Sequence, residues 1–168
     1  QGSIKQGDLM PGQKVSVDHF AGTCKGRLFR SAGKVKDDDM WTGGAIFVDH
    51  ASGHVHVEFQ CQLNSHQTLA ALQRYEQTCR DKGVVPQSYL TDNGTAFTGV
   101  EFKAKLANFH QIQHLAGVGA HHHNGVAEQS IRTIMNIART MMLHAAIHWP
   151  DTAQPELWPM AVSHAVFL

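Results

Sequence analysis

The chain has few cysteines, no surplus of either charge and no long apolar run, and each lack narrows what it can be. Cys24, Cys61 and Cys79 are its three cysteines. Their wide spacing forms neither a disulfide framework nor a CxxC zinc pair, so idle or buried thiols are expected. No stretch of about 18 apolar residues occurs. The start QGSIKQGDLMPGQ has neither a basic opening nor an apolar segment of the kind that directs export. An intracellular protein without a membrane role is expected. Lys plus Arg number 14, as do Asp plus Glu, so the basic excess of many nucleic-acid binders is missing. Internal repeats and low-complexity tracts are absent too.

What is present is enough for one buried core: 168 residues, 42% of them hydrophobic. Residues 1–13 read as a polar N-terminal linker and residues 14–168 as a single folded core. KVSVDHF reads as a short strand and the glycine-bearing stretch Ala21 to Gly43, with Asp37, Asp38 and Asp39, as a long excursion loop. GAIFVDH and HVHVEFQ, joined at Ala51, Ser52 and Gly53, form a hairpin whose second arm alternates His54, His56 and Glu58 on a wet face with Val55, Val57 and Phe59 on a buried one. Ser65 is placed to cap a helix running to about Asp81 and ended by Lys82 and Gly83. SYLTD is a fourth strand. Thr98 and Glu101 form a capping-box pattern that opens a helix to about Phe109, and QIQHL is a fifth strand. After a Gly- and His-rich loop, a long helix starts near Asn124 with Ile131, Ile134, Ala138, Met141 and Ala145 as its apolar stripe; Trp149 and Pro150 end it, and Pro155 opens a last helix. The order βββαβαβαα implies an α/β fold of ribonuclease-H type, a five-stranded mixed sheet ordered 3-2-1-4-5 and flanked by helices.

Acids inside apolar strands are costly unless they are paired or bind a cation. Asp18 in VSVDHF, Asp49 in IFVDH and Asp92 after SYLT are such acids. Asp49 precedes the hairpin turn and is read as a turn residue. If the first and fourth strands are neighbours, Asp18 and Asp92 lie side by side and call for a metal or a shared proton. Glu128, early in the long helix, is the third candidate ligand. Three carboxylates on strands and helix suit two Mg²⁺ or Mn²⁺ ions roughly 3.5–4 Å apart, which activate a water or a DNA 3′-hydroxyl and stabilise the leaving oxygen. Taken singly, each acid is as well explained by a turn or by the helix dipole.

At YLTDNGTAF and HNGVAEQSIRTI, with 35 residues between Asp92 and Glu128, the sequence resembles the retroviral and retrotransposon integrase core. NGVAEQSIRTIMNIARTMMLHA followed by LWPMAVSHAVFL is similar to the copia-type long-terminal-repeat branch. The resemblance spans about residues 14–168. It implies a DDE triad of Asp18, Asp92 and Glu128, divalent-metal dependence, a dimer or higher assembly, and joining of element DNA 3′ ends to double-stranded target DNA. Cytoplasmic particles and then the nucleus follow as locations. The family also carries an N-terminal zinc module and a C-terminal DNA-binding region that this segment lacks, which fits its neutral charge. Where relatives have a loop resembling PHTPQ, this chain has Val118 to His123.

Asn93 and Gly94 are expected to support the turn at Asp92, Asn93 by bonding its own backbone and Gly94 through a positive φ. Asn124 and Arg132 share the helical face of Glu128 and, with His122 in the loop, are candidate DNA contacts. His110 and His114 straddle a helix end and a strand, so they form no helical zinc pair. Trp41, Trp149 and Trp158 read as packing residues. Two other functions stay open: a catalytically silent dimerisation and DNA-scaffolding module, and a related transposase or ribonuclease H.

Overall fold

The computed structural model describes residues 9–30, 36–116 and 125–168. Its strands are β1 (Val15–Gly26), β2 (Trp41–Asp49), β3 (Val55–Gln60), β4 (Ser88–Thr91) and β5 (Ile112–Leu115). Its helices are α1 (Ser65–Asp81), α2 (Thr95–Thr98), α3 (Val100–Asn108), α4 (Gly125–His148) and α5 (Trp158–Phe167). The strands form one sheet in the order β3-β2-β1-β4-β5, the order expected for the ribonuclease-H-type fold. β1, β2 and β3 pair antiparallel, and β4 and β5 join in parallel.

The period of two along each strand deals side chains alternately to two cores. Val15, Val17, Phe47 and Tyr89 face α1 and α3, where they meet Leu72, Tyr75, Phe102 and Leu106. Phe20, Ile46 and Val48 face the other way, onto Ala127, Ile134 and Ala138 of α4 and Val162 of α5. Phe47 stacks on Tyr75 with ring centroids 4.4 Å apart. Each such side chain contributes roughly 1.5–3 kcal/mol by leaving water.

An ionic cluster is buried in the first core. Glu76, 1% exposed, accepts from the Tyr89 hydroxyl at 3.0 Å, Lys105 Nζ at 2.6 Å and Gln111 Nε2 at 2.7 Å. Lys105 also lies 4.0 Å over the Phe109 ring. The cluster ties α1, β4 and α3 together with the start of β5.

Four local expectations are corrected. β1 does not stop after Phe20 but runs to Gly26, so the expected loop is half strand, and a single 3-10 turn covers Asp37–Asp39. The helix α1 is capped by Asn64, whose side chain accepts from the Gln67 N–H, while the Ser65 hydroxyl donates to the Thr95 carbonyl. Thr98 and Glu101 form no capping box: Gly99, extended at ψ 148, separates α2 from α3, and the Thr98 hydroxyl bonds back to the Gly94 carbonyl. Finally, the polar positions of the second hairpin arm are only partly wet: His54, just before β3, is exposed. His56 and Glu58 are half-buried beside α1, with His56 on Glu58 at 2.8 Å and Arg74 on Glu58 at 2.5 Å. Burial pushes the Glu58 carboxyl up, and these two partners more than reverse that, leaving it below its ordinary value.

Candidate active site

The parallel pairing of β1 with β4 sets the site. Val15 lies opposite Tyr89 and Ser16 opposite Leu90; the same register carried two residues further puts Asp92 beside Asp18. By alternation Asp18 shares the face of Phe20, the one α4 covers. Asp92, just beyond the end of β4, alternates away from Tyr89 toward that face as well. Glu128 sits in the first turn of α4, next to Ala127, which is fully buried against the sheet. The middle of β1, the end of β4 and the start of α4 thus bring three carboxylates toward one face of the sheet.

The electrostatics register this convergence. The Asp18 carboxyl is pushed up to about 6, first by burial and then by the negative charges of Asp92 and Glu128, against the opposing His19 N–H. That N–H donates to Asp18 Oδ1 at 2.8 Å. Three hard oxygen donors that repel one another at a half-buried point fit a divalent cation. Among the described residues no three His, Cys, Asp or Glu side chains already close on one point as a finished cage, so a cation would have to draw these carboxylates together.

The turn after β4 is built around Asp92. Asp92 Oδ1 accepts the Gly94 N–H at 2.9 Å. Gly94 has φ −60, not the positive value expected, and its need for glycine is steric: a Cβ there would lie 2.9 Å from Asp92 Oδ1. Asn93 also differs from expectation, because its Nδ2 donates 2.7 Å to the Ala116 carbonyl rather than to its own backbone. It thereby pins the end of β4 to the residue that follows β5.

His19 is a neighbour of the site that sequence reasoning missed. Its ring lies on the opposite sheet face, stacked on Phe97 at 4.5 Å, with Nε2 2.9 Å from Thr68 Oγ1. Burial lowers its pKa against the pull of Asp92, so the ring is neutral near pH 7. The only hint in the sequence is its position next to Asp18.

Asp49 lies apart from this cluster, as expected. It is 4% exposed and accepts from the backbone N–H groups of Gly12, Ala51 and Ser52 and from the Ser52 hydroxyl at 2.7–3.1 Å. Arg132 is exposed one turn beyond Glu128, where nothing in the described structure engages it with the acids. Asn124 and His122 lie outside the described residues. His110 closes α3 at φ 55 and His114 stands on the edge strand β5, so these two do not form a helical pair.

No family model matches the chain and no curated protein matches it. Solved structures do. The HTLV-2 integrase catalytic core domain in complex with magnesium, in trimeric and dimeric forms, superposes with TM-score 0.62 at 20% identity, over 95% of this chain and 85% and 86% of those chains. The simian T-cell lymphotropic virus intasome, in complex with the PP2A regulatory subunit B56 gamma, gives TM-score 0.62 at 18% identity, over 99% of this chain and 51% of that one. At such identities the likeness concerns architecture, and the architecture is the ribonuclease-H-like fold of an integrase core.

Proposed function

We propose that the chain is the catalytic core of a metal-dependent polynucleotidyl transferase that processes and joins the 3′ ends of a retroelement's DNA to target DNA, within the copia-type branch its motifs resemble. The observation that carries this reading is geometric: the β1–β4 register sets Asp92 beside Asp18, with Glu128 in the first turn of α4, and the Asp18 carboxyl is raised there by burial and then by those two charges. The neighbours support the same reading: catalytic cores solved with magnesium in trimeric and dimeric forms, and an intasome.

In this reading Asp18, Asp92 and Glu128 hold two Mg²⁺ or Mn²⁺ ions, which lower the pKa of the attacking hydroxyl or water and stabilise the leaving oxygen of an in-line displacement. The protein's own contribution is placement. Asp18 is fixed by its central strand and the His19 N–H, Asp92 by the Gly94 N–H, and Glu128 by the anchoring of Ala127. Asn93 holds the turn to the end of β5. Arg132, with Asn124 and His122, is assigned to DNA phosphates, and much of the grip on DNA is assigned to flanking regions, because this segment is neutral.

The test is Mn²⁺-dependent strand transfer and disintegration by the core joined to its flanking domains. Asp92→Asn and Glu128→Gln should each lower the rate by roughly 10⁴-fold, the scale seen when a central catalytic group is lost, with an unchanged melting temperature. Undiminished joining by either variant would sink the assignment. Cleavage of an RNA–DNA hybrid without DNA joining would move the chain to the ribonuclease H class. A core that binds no Mn²⁺ in calorimetric titration would be the silent scaffold.

A further inference from the structure

Two histidines at the far end of α4 take no part in the acidic site. His144 and His148 are both exposed, stand four residues apart and so share one helix face, and have ring centroids 4.3 Å apart at an interplanar angle of 46°. Imidazoles one helical turn apart are the arrangement by which helical His pairs grip zinc, and imidazole nitrogen suits Zn²⁺, Cu²⁺ and Ni²⁺. The location favours a cation as well. The last turn of a helix presents carbonyl oxygens with partial negative charge. The chain then folds tightly, with the Thr152 and Ala153 N–H groups both on the Trp149 carbonyl at 3.1 and 2.9 Å, which places Asp151 in the turn directly beyond the pair.

We propose that His144 and His148 form a second metal site, for a borderline transition-metal ion of the Cu²⁺ or Zn²⁺ class. It is separate from the acidic centre: twenty residues of helix, about 30 Å, lie between Glu128 and His148. It differs in chemistry too, because ring nitrogens select the ions that a carboxylate trio for Mg²⁺ does not require. Two protein ligands leave the remaining positions to water, to Asp151 or to a group from a second molecule. The inference does not depend on the proposed DNA chemistry.

Trp149 supplies a local reporter, since its ring is 5.8 Å from that of His148 and Cu²⁺ quenches indole fluorescence at short range. The probe is Cu²⁺ alone, titrated into the whole chain with Mg²⁺ in excess. The Trp149 signal is the difference between the unaltered protein and Trp149→Phe. One equivalent should quench it, and His144→Gln or His148→Gln should each weaken the midpoint by about tenfold or more, on the scale of losing a group that sets metal affinity. The joint substitution His121→Gln, His122→Gln, His123→Gln should leave it unchanged. In His144→Gln with Leu143→His, the new ring stands five residues from His148 and about 140° around the helix, so binding should remain weak. Equal quenching in His144→Gln or His148→Gln, loss of quenching with the loop substitutions, or full recovery with Leu143→His would each overturn the site. Leu143, His144, His148 and Trp149 are all exposed, so circular dichroism should be the same for the variants at these positions.

Discussion

Gly94 shows how a single hydrogen atom in place of a methyl can leave room for a carboxylate. Its backbone suits any residue, yet a Cβ would press on the Asp92 carboxylate. Gly94→Ala should therefore fold with a melting temperature close to that of the unaltered protein while weakening Mn²⁺ binding by about tenfold, as when the groups that orient a ligand are disturbed. Calorimetric titration beside thermal unfolding checks both halves, and unchanged Mn²⁺ affinity would show that this clearance does not position Asp92. Asp49 carries the opposite lesson. In sequence it looks as site-like as Asp18, an acid at the end of an apolar strand. Its environment separates the two: burial pushes its carboxyl up, but four hydrogen bonds together pull it below its ordinary value, whereas at Asp18 burial, reinforced by the charges of Asp92 and Glu128, outweighs the single His19 N–H. A carboxyl with a depressed folded pKa contributes stability that is complete above its unfolded value near 3.8 and is lost as pH falls through the folded one. Asp49→Asn should accordingly be less stable than the parent at pH 7, the gap closing as pH drops from about 5 toward 3. Denaturant unfolding across that range measures it, and a gap independent of pH would count against the hydrogen-bonded carboxylate.

At the scale of elements, the buried cluster around Glu76 offers the sharpest energetic test. Removing its carboxylate leaves the Lys105 ammonium, 10% exposed, without its partner, which costs about 3–5 kcal/mol for a buried pair broken on one side. Glu76→Leu should lose that much in urea unfolding, and Glu76→Leu with Lys105→Met should recover part of it; a double variant no better than the single would show that hydrogen bonds to Tyr89 and Gln111, rather than charge, dominate. Nothing in the sequence marked Glu76, because an acid on a helix is ordinarily solvated; its one clue is that it falls four residues after the buried Leu72. The hairpin, α1 and α4 were legible because their periods run long enough to override local noise. The second half of β1 was not. Gly22 and Gly26 read as loop residues, yet a Cβ at either would strike the Trp158 indole, whose Nε1 donates to the Cys24 carbonyl. Those glycines clear room for a ring more than 130 positions away in sequence, and no local window contains that fact. The break between α2 and α3 escaped for a similar reason: Thr98 and Glu101 spell a cap, but Gly99 takes the extended conformation between two separately packed turns.

For the molecule as a whole, the order of elements was enough to predict a mixed sheet, since three adjacent strands pair locally and parallel strands need helical crossovers, while the place of β4 beside β1 was legible only with the integrase-core resemblance. The position of the acids followed from that sheet order, whereas residues 117–124, before α4, fall outside the described structure. The β1–β4 pair has one more consequence, in time rather than in space. Within β1, β2 and β3 the widest pairing, Val15 with Asp49, spans 34 positions, while Val15 and Tyr89 are 74 positions apart, and closing the longer loop carries an entropic cost that slows its contact relative to local ones. Asp18 and Asp92 meet only across that late contact. A chain in which only the three-stranded meander has formed therefore still lacks its acidic site, and the full negative charge of the site gathers only when β4 pairs with β1.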